Sequence, residues 1–137
     1  MTDDMGYRDL SGYGHKGYIT PNLDKLALQG IKFVNAYSAG PLCTPTRTAF
    51  MTGRYPARTP VGLIEPLTGD KRDTAFGLTT EYPSIATLMK IAGYQTALIG
   101  KWHLGSRPQH SPIKNGFDYF FEIVCKKLNK AFPICRG

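Results

Sequence analysis

The sequence predicts an α/β fold, a largely parallel sheet flanked by helices. Three observations predict it. Helix-type and strand-type hydrophobic periodicities alternate along the chain. The strand-like runs are short, apolar and closed by glycine. Polar residues suited to binding directly follow a strand-like run, and in such sheets ligands gather outside the carboxyl ends of strands. A chain of 137 residues with 42% hydrophobic content can bury one sizeable core.

The elements follow in order. In "GYITPNLDKLALQG" Thr20 can cap a helix, Pro21 suits its first position and Gly30 stops it. Leu23, Leu26 and Ala27 share one face of that helix. The run "IKFVNAYS" alternates Ile31 and Phe33 with Lys32 and Val34 and reads as a short strand between Gly30 and Gly40. A second helix should start near Pro45, about two residues after Cys43, and end at Gly53. Residues 54–80 are rich in Pro, Gly and Thr and read as an irregular connection. "PSIATLMKIAG" forms a third helix, with Ile85, Leu88, Met89 and Ala92 as its buried stripe and Gly93 as its end. "YQTALIG" follows as a strand, and "KWHLG" continues from it.

Composition narrows the function classes. Net charge is +7, but Lys126, Lys127, Lys130 and Arg136 all follow Glu122. The first 122 residues carry 13 basic and 10 acidic groups, a mild excess of 3. No clustered basic face with stacking aromatics appears, so nucleic acid is not an expected partner. No run approaches the roughly 18 apolar residues that span a bilayer. Cys43, Cys125 and Cys135 make neither a zinc spacing nor a CxxC pair. Cys125 and Cys135 could bridge in an oxidising compartment or remain free thiols. Thr2, Asp3 and Asp4 follow Met1 directly, so no signal peptide is read there. The pair Asp3–Asp4 resembles the loop after a strand, so Met1 reads as an internal methionine and the first strand as missing.

Several residues could carry chemistry. Cys43 lies near a helix start, where free amides and the helix dipole favour a thiolate or an anion. Arg47, four residues on, can reach the same helix end, and Thr44 and Thr46 add hydroxyls to a cradle for a tetrahedral oxyanion. A phosphatase-type pairing needs five residues between Cys and Arg, and here there are three. A buried small hydrophobe, half of a disulfide, a metal ligand, a nucleophile and a substrate for modification all remain open for Cys43. Asp3 and Asp4 are hard oxygen ligands suited to Ca²⁺ or Mg²⁺. Two carboxylates leave most of a calcium shell to water, so weak metal binding is expected of them alone. Lys101 and His103, two apart at a strand end, should point the same way, one supplying charge and the other a proton. His15 and His110 lie in Gly- or Pro-rich loops and read as surface residues.

The set resembles a known family. "TDDMGYRDLSGYG", "TPNLDKLALQGIKFVNAY", "LCTPTRTAFMTGRYPAR", "GYQTALIGKWHLG" and "NGFDYFF" together are similar to the N-terminal part of the sulfatases, from Thr2 to about Phe121. The C-x-P-x-R-x-x-x-x-T-G-R signature is carried by Cys43, Pro45, Arg47, Thr52, Gly53 and Arg54. "GKWHLG" is a second, independent signature.

The resemblance implies an alkaline phosphatase-like fold and a sulfuric ester hydrolase. It implies that Cys43 is a substrate before it is a catalyst: a formylglycine-generating enzyme oxidises it, and the hydrated aldehyde supplies the nucleophilic oxygen. The second hydroxyl of the hydrate then expels sulfate. Asp3 and Asp4 match metal ligands, usually for Ca²⁺, with the converted Cys43 completing that side of the metal. Arg47 matches the arginine that steadies the hydrate, and Lys101 and His103 match the pair that contacts it and the sulfate. Family members are typically exported to periplasm, extracellular space or lysosome.

The resemblance also has gaps. The family completes its metal site with a later Asp-Asn or Asp-Gln pair and its sulfate pocket with a further His and Lys. It fades after Phe121, where Glu122 stands in place of a common glycine. Residues 1–121 are therefore expected to be a partial sulfatase domain and 122–137 a divergent, irregular basic tail. The chain is expected to be truncated at both ends and, expressed alone, to be marginally stable with little activity. Two rivals are a phosphonate or phosphate monoester hydrolase of the same superfamily and a non-catalytic truncated product.

Overall fold

The computed structural model describes residues 1–64, 67 and 75–122. The expected tail at 122–137, with Cys125 and Cys135, lies outside the described residues from Ile123 on, as does part of the 54–80 connection. The chain divides into two compact units, Met1–Tyr37 and Ser38–Gly137.

In the first unit α1 spans Pro21–Gln29 and packs on a 3-10 turn at Ser11–Tyr13. Its bounds agree with the sequence reading, but Thr20 does not cap it by a side-chain bond to the helix amides. The Thr20 hydroxyl is engaged instead by Ser11 Oγ at 2.8 Å and by Asp24 Oδ1 at 3.3 Å. Ser11 Oγ also donates to Asp24 Oδ2 at 2.5 Å, so the turn and the helix start are joined by side chains. No residue of α1 is buried, and Leu23 and Leu26 are exposed.

The strand expected at 31–38 is not formed. A strand is a ladder, and among the described residues nothing pairs with this segment. Tyrosine hydroxyls take its carbonyls instead: Tyr13 donates to Phe33 O at 2.9 Å and Tyr7 to Val34 O at 3.5 Å.

In the second unit α2 spans Cys43–Thr52 and ends at Gly53, whose φ of +64° closes the helix and sends its N–H to Ala49 O. Threonine is a modest helix former, yet α2 carries four. Two of them fold their hydroxyls back onto the carbonyl one turn earlier, Thr48 to Thr44 O at 2.8 Å and Thr52 to Thr48 O at 2.7 Å. That gives the hydroxyl of buried Thr48 and that of half-buried Thr52 a partner within the helix. 3-10 turns at Pro56–Arg58 and Val61–Leu63 pack on α2 within the segment read as irregular.

α3 spans Ile85–Ile91, capped by Ser84, whose Oγ accepts from Thr87 N at 3.2 Å and donates to Asn115 O at 2.5 Å. Its expected stripe is not buried. Ile85, Leu88, Met89 and Ala92 are exposed, and Ala86 is the buried residue. Periodicity located the helix but not the face that is covered, because a short helix over a small core needs only one small residue inward.

β1, Ala97–Ile99, pairs in parallel with β2, Tyr119–Phe121, in the register Leu98 to Phe120. This two-stranded parallel sheet with its helices agrees with the predicted class. The core gathers Met51, Val61, Leu78, Trp102, Leu104 and Phe117.

Asp118 ties this unit together. Its carboxylate accepts from Lys90 Nζ on α3 and from Thr96 N and Oγ1, both at 3.0 Å. The Lys90 hydrogen bond, then those of Thr96, hold its pKa below the usual 3.8. A depressed carboxyl contributes stability above its unfolded value and loses that contribution as pH falls through the folded one. Lys90→Met is expected to move the Asp118 midpoint up toward the ordinary carboxylate range, as read by ¹³C NMR of the side-chain carboxyl. A midpoint that stays in place would assign the shift to Thr96 instead.

Candidate active site

Cys43 is the first residue of α2 rather than a residue ahead of it. The extended backbone of Leu42 (φ −127°, ψ 172°) makes Leu42 the N-cap, with no side-chain cap bond. Pro45 falls in the first turn, where the N–H it lacks would have had no partner inside the helix. The thiol is free and half-buried, and Lys101 Nζ donates to its Sγ at 3.2 Å.

Arg47 lies on the next turn of α2 and is 6% exposed. Its guanidinium donates to the Lys101 carbonyl. Thr44, fully buried, places its hydroxyl 3.5 Å from the carbonyl of His103. Thr44 and Arg47 are three apart and so share a face of α2. The helix that presents Cys43 therefore also grips the main chain of residues 101–103. Thr44 points at that loop and Thr46 donates to Gly40 O at 2.7 Å, so the hydroxyls expected to line an anion cradle have main-chain partners.

The "KWHLG" loop does not continue strand geometry. β1 ends at Ile99, Gly100 turns with φ +119°, and His103 is left-handed at φ +54°. Alternation therefore does not set the directions of Lys101 and His103, as the sequence reading assumed. Trp102 between them sets the inward direction. Its ring is 3% exposed and meets Phe117 edge-on at 6.2 Å, and its Nε1 donates to His110 O at 2.8 Å.

His110, read as a surface residue, is buried at 4% exposure. Its ring fits because glycine stands at two neighbouring positions: a Cβ on Gly77 would lie 2.3 Å from His110 Cγ, and one on Gly105 would lie 2.6 Å from His110 Cβ. Its Nδ1 bonds Leu78 O at 3.2 Å. The one sequence signal for this was the tryptophan itself, since a buried indole N–H requires an acceptor. Half-buried His15 packs on Tyr18 with ring centres 3.8 Å apart, within the first unit.

His103 is half-buried, with Nε2 2.9 Å from the Leu67 carbonyl. Its Nδ1 is buried and has no hydrogen-bond partner among the described residues. Sequence reasoning missed Thr44 as a loop anchor and Leu67 altogether, because one acts on a carbonyl and the other through its own.

In the first unit Asp3 and Asp4 are exposed, and each offers a carboxylate oxygen within 4.8 Å of the other's. Asp4 has φ +51°, a left-handed conformation that aspartate tolerates. Calcium holds oxygens at about 2.3–2.6 Å. The two carboxylates therefore fit adjacent ligand positions on one divalent ion.

Lys101 should mark Cys43 electrostatically. The unmodified thiol is expected to prefer the anionic reagent iodoacetate over neutral iodoacetamide, relative to a cysteine in an unstructured peptide. Lys101→Met should reduce that rate ratio by about five-fold, the scale of ~1 kcal/mol for unit charges 4 Å apart in water. The ratio cancels changes in thiolate fraction, so an unchanged value would place the ammonium away from the sulfur in solution.

The family model described as Sulfatase matches residues 1–128. Human steryl-sulfatase is 43% identical over 97% of this chain and 24% of its own length. Human N-acetylgalactosamine-6-sulfatase is 42% identical over 88% of this chain and 24% of its own. The solved structure titled as that of Ps i-CgsB matches with a TM-score of 0.78 and 42% identity, over 88% of this chain and 26% of that one. The chain thus spans about a quarter of the length of the curated relatives it matches. Among the described residues no helix is long and apolar enough to cross a membrane.

Proposed function

Because this chain belongs to the sulfatase family, we propose that it contributes one side of an active site that hydrolyses a sulfate monoester. The observation that supports this most directly is the Lys101 ammonium 3.2 Å from Cys43 Sγ at the head of α2. It joins the two family signatures at the atom where the chemistry would begin.

Cys43 is the residue we assign to conversion into formylglycine, which supplies a hydrated aldehyde oxygen as nucleophile. Lys101 carries positive charge to the same position and suits the sulfuryl oxygens, where negative charge builds as the ester breaks. Arg47 holds the Lys101 main chain and is the residue we assign to steadying the hydrate. His103 is the group assigned to proton transfer, with one ring nitrogen free among the described residues. Asp3 and Asp4 would hold a divalent cation, Ca²⁺ by its preference for carboxylate oxygens, and that ion would supply further positive charge. We place the protein in an exported compartment, by the family's habit.

The testing experiment is co-expression with a formylglycine-generating enzyme. Conversion should lower the mass of the Cys43 peptide by roughly 18 Da, the exchange of sulfur for oxygen with loss of two hydrogens. An aryl sulfate assayed beside an aryl phosphonate then separates a sulfatase from a phosphonate hydrolase. Preferred turnover of the phosphonate would overturn the sulfate reading.

A further inference from the structure

We propose that Thr44 is a positioning residue for His103, and that with the Leu67 carbonyl it presents Nδ1 as the working nitrogen of that ring. The proposal rests on the reading of His103 as a site residue, but its test does not depend on sulfate hydrolysis.

A non-glycine residue with positive φ is held there by its surroundings. His103 is one of two such residues described, at φ +54°. Its carbonyl is met by the hydroxyl of Thr44, at 3.5 Å, from a residue with no exposed surface. The loop is fixed on both sides of that point. Arg47 holds the carbonyl of Lys101, the Trp102 indole is bonded to His110 O, and Leu78 N donates to Leu104 O at 2.8 Å. Thr44 itself is held by the helix, since Thr48 donates to its carbonyl at 2.8 Å. The backbone of His103 is therefore set by the same turn of α2 that begins with Cys43.

The ring is fixed separately. A main-chain carbonyl only accepts, so the Nε2 that lies 2.9 Å from Leu67 O must carry the proton. In the neutral ring Nδ1 is then a bare acceptor, and it is buried with no partner among the described residues. A buried acceptor without a donor is unfavourable. A hydroxyl or ammonium donor brought by the site's ligand would satisfy it. Thr44 thus governs where the loop goes, and Leu67 governs which nitrogen is left to act.

The test is long-range ¹H–¹⁵N NMR of the histidine rings in the full chain at a pH where imidazole is neutral. His103 is expected as a single Nε2–H tautomer. Thr44→Val keeps shape and removes the hydroxyl; it should let the ring leave Leu67 and bring His103 to the exchange-averaged position of a free histidine. Thr44→Ser restores a donor and should return the parent spectrum. The Trp102 indole N–H resonance, unmoved across the series, shows that the core is intact. An Nδ1–H tautomer in the parent, or a Thr44→Val spectrum identical to the parent's, would overturn the proposal. The expected His103 spectra across the series, together with no aryl sulfate turnover by a converted form extended to the relatives' full length, would instead count against the Proposed function alone.

Discussion

Replacing Trp102 with alanine is expected to unfold the second unit or bring it close to unfolding. The ring is among the most buried side chains of the core, and removal of such a group costs about 3–5 kcal/mol. Domains of this size are stable by roughly 5–15 kcal/mol in total. Two further losses add to the cavity. The Phe117 edge loses its ring partner, and His110 O loses the indole donor at 2.8 Å. His110 is itself wedged between glycines, so little can move in to fill the space. Urea denaturation followed by far-ultraviolet circular dichroism should show the midpoint falling sharply, or no cooperative transition at all. Trp102→Phe should sit between, keeping most of the apolar volume but not the N–H. A midpoint unchanged in the alanine variant would mean that the loop is anchored by α2 and not by its own tryptophan.

The second large effect concerns Cys43. Cys43→Ala should abolish the 18 Da conversion, which needs the sulfur. In a form extended to the relatives' full length it should also reduce aryl sulfate turnover by on the order of 10⁶, the scale seen when a covalent nucleophile is removed. Cys43→Ser is the more informative change. A serine hydroxyl offers an oxygen but no second hydroxyl to expel sulfate, so the expected result is at most one turnover and a sulfated chain visible by intact mass. Sustained turnover by the serine variant would show that an ordinary alcohol suffices and that the modification is dispensable.

The elements that local chemistry defines were legible in the sequence. Pro21 and Gly30 frame α1, Gly53 stops α2, Ser84 and Pro83 precede α3, and "TALI" contains β1. The residues joining Cys43 to Lys101 were legible as family signatures. What was not legible depends on partners distant in sequence. The 31–38 run has strand-like alternation but no ladder among the described residues, so periodicity alone misled. β2 is only three residues long and is defined by its pairing with β1. His110 looked polar and loop-borne because its burial comes from Gly77, more than thirty residues away. Lys101 and His103 were assigned a common direction from strand geometry, and Gly100 ends that geometry one residue too early.

Trp102 is also the chain's only tryptophan. Its emission therefore comes from one place, the residue between Lys101 and His103, and no second chromophore of that kind dilutes it. Shielded from solvent, it should emit toward the blue and resist collisional quenching by acrylamide. Any event that loosens residues 101–105 should redden it and open it to the quencher. The molecule thus carries its own optical gauge beside Lys101 and His103, and ligand titrations can be followed without a label.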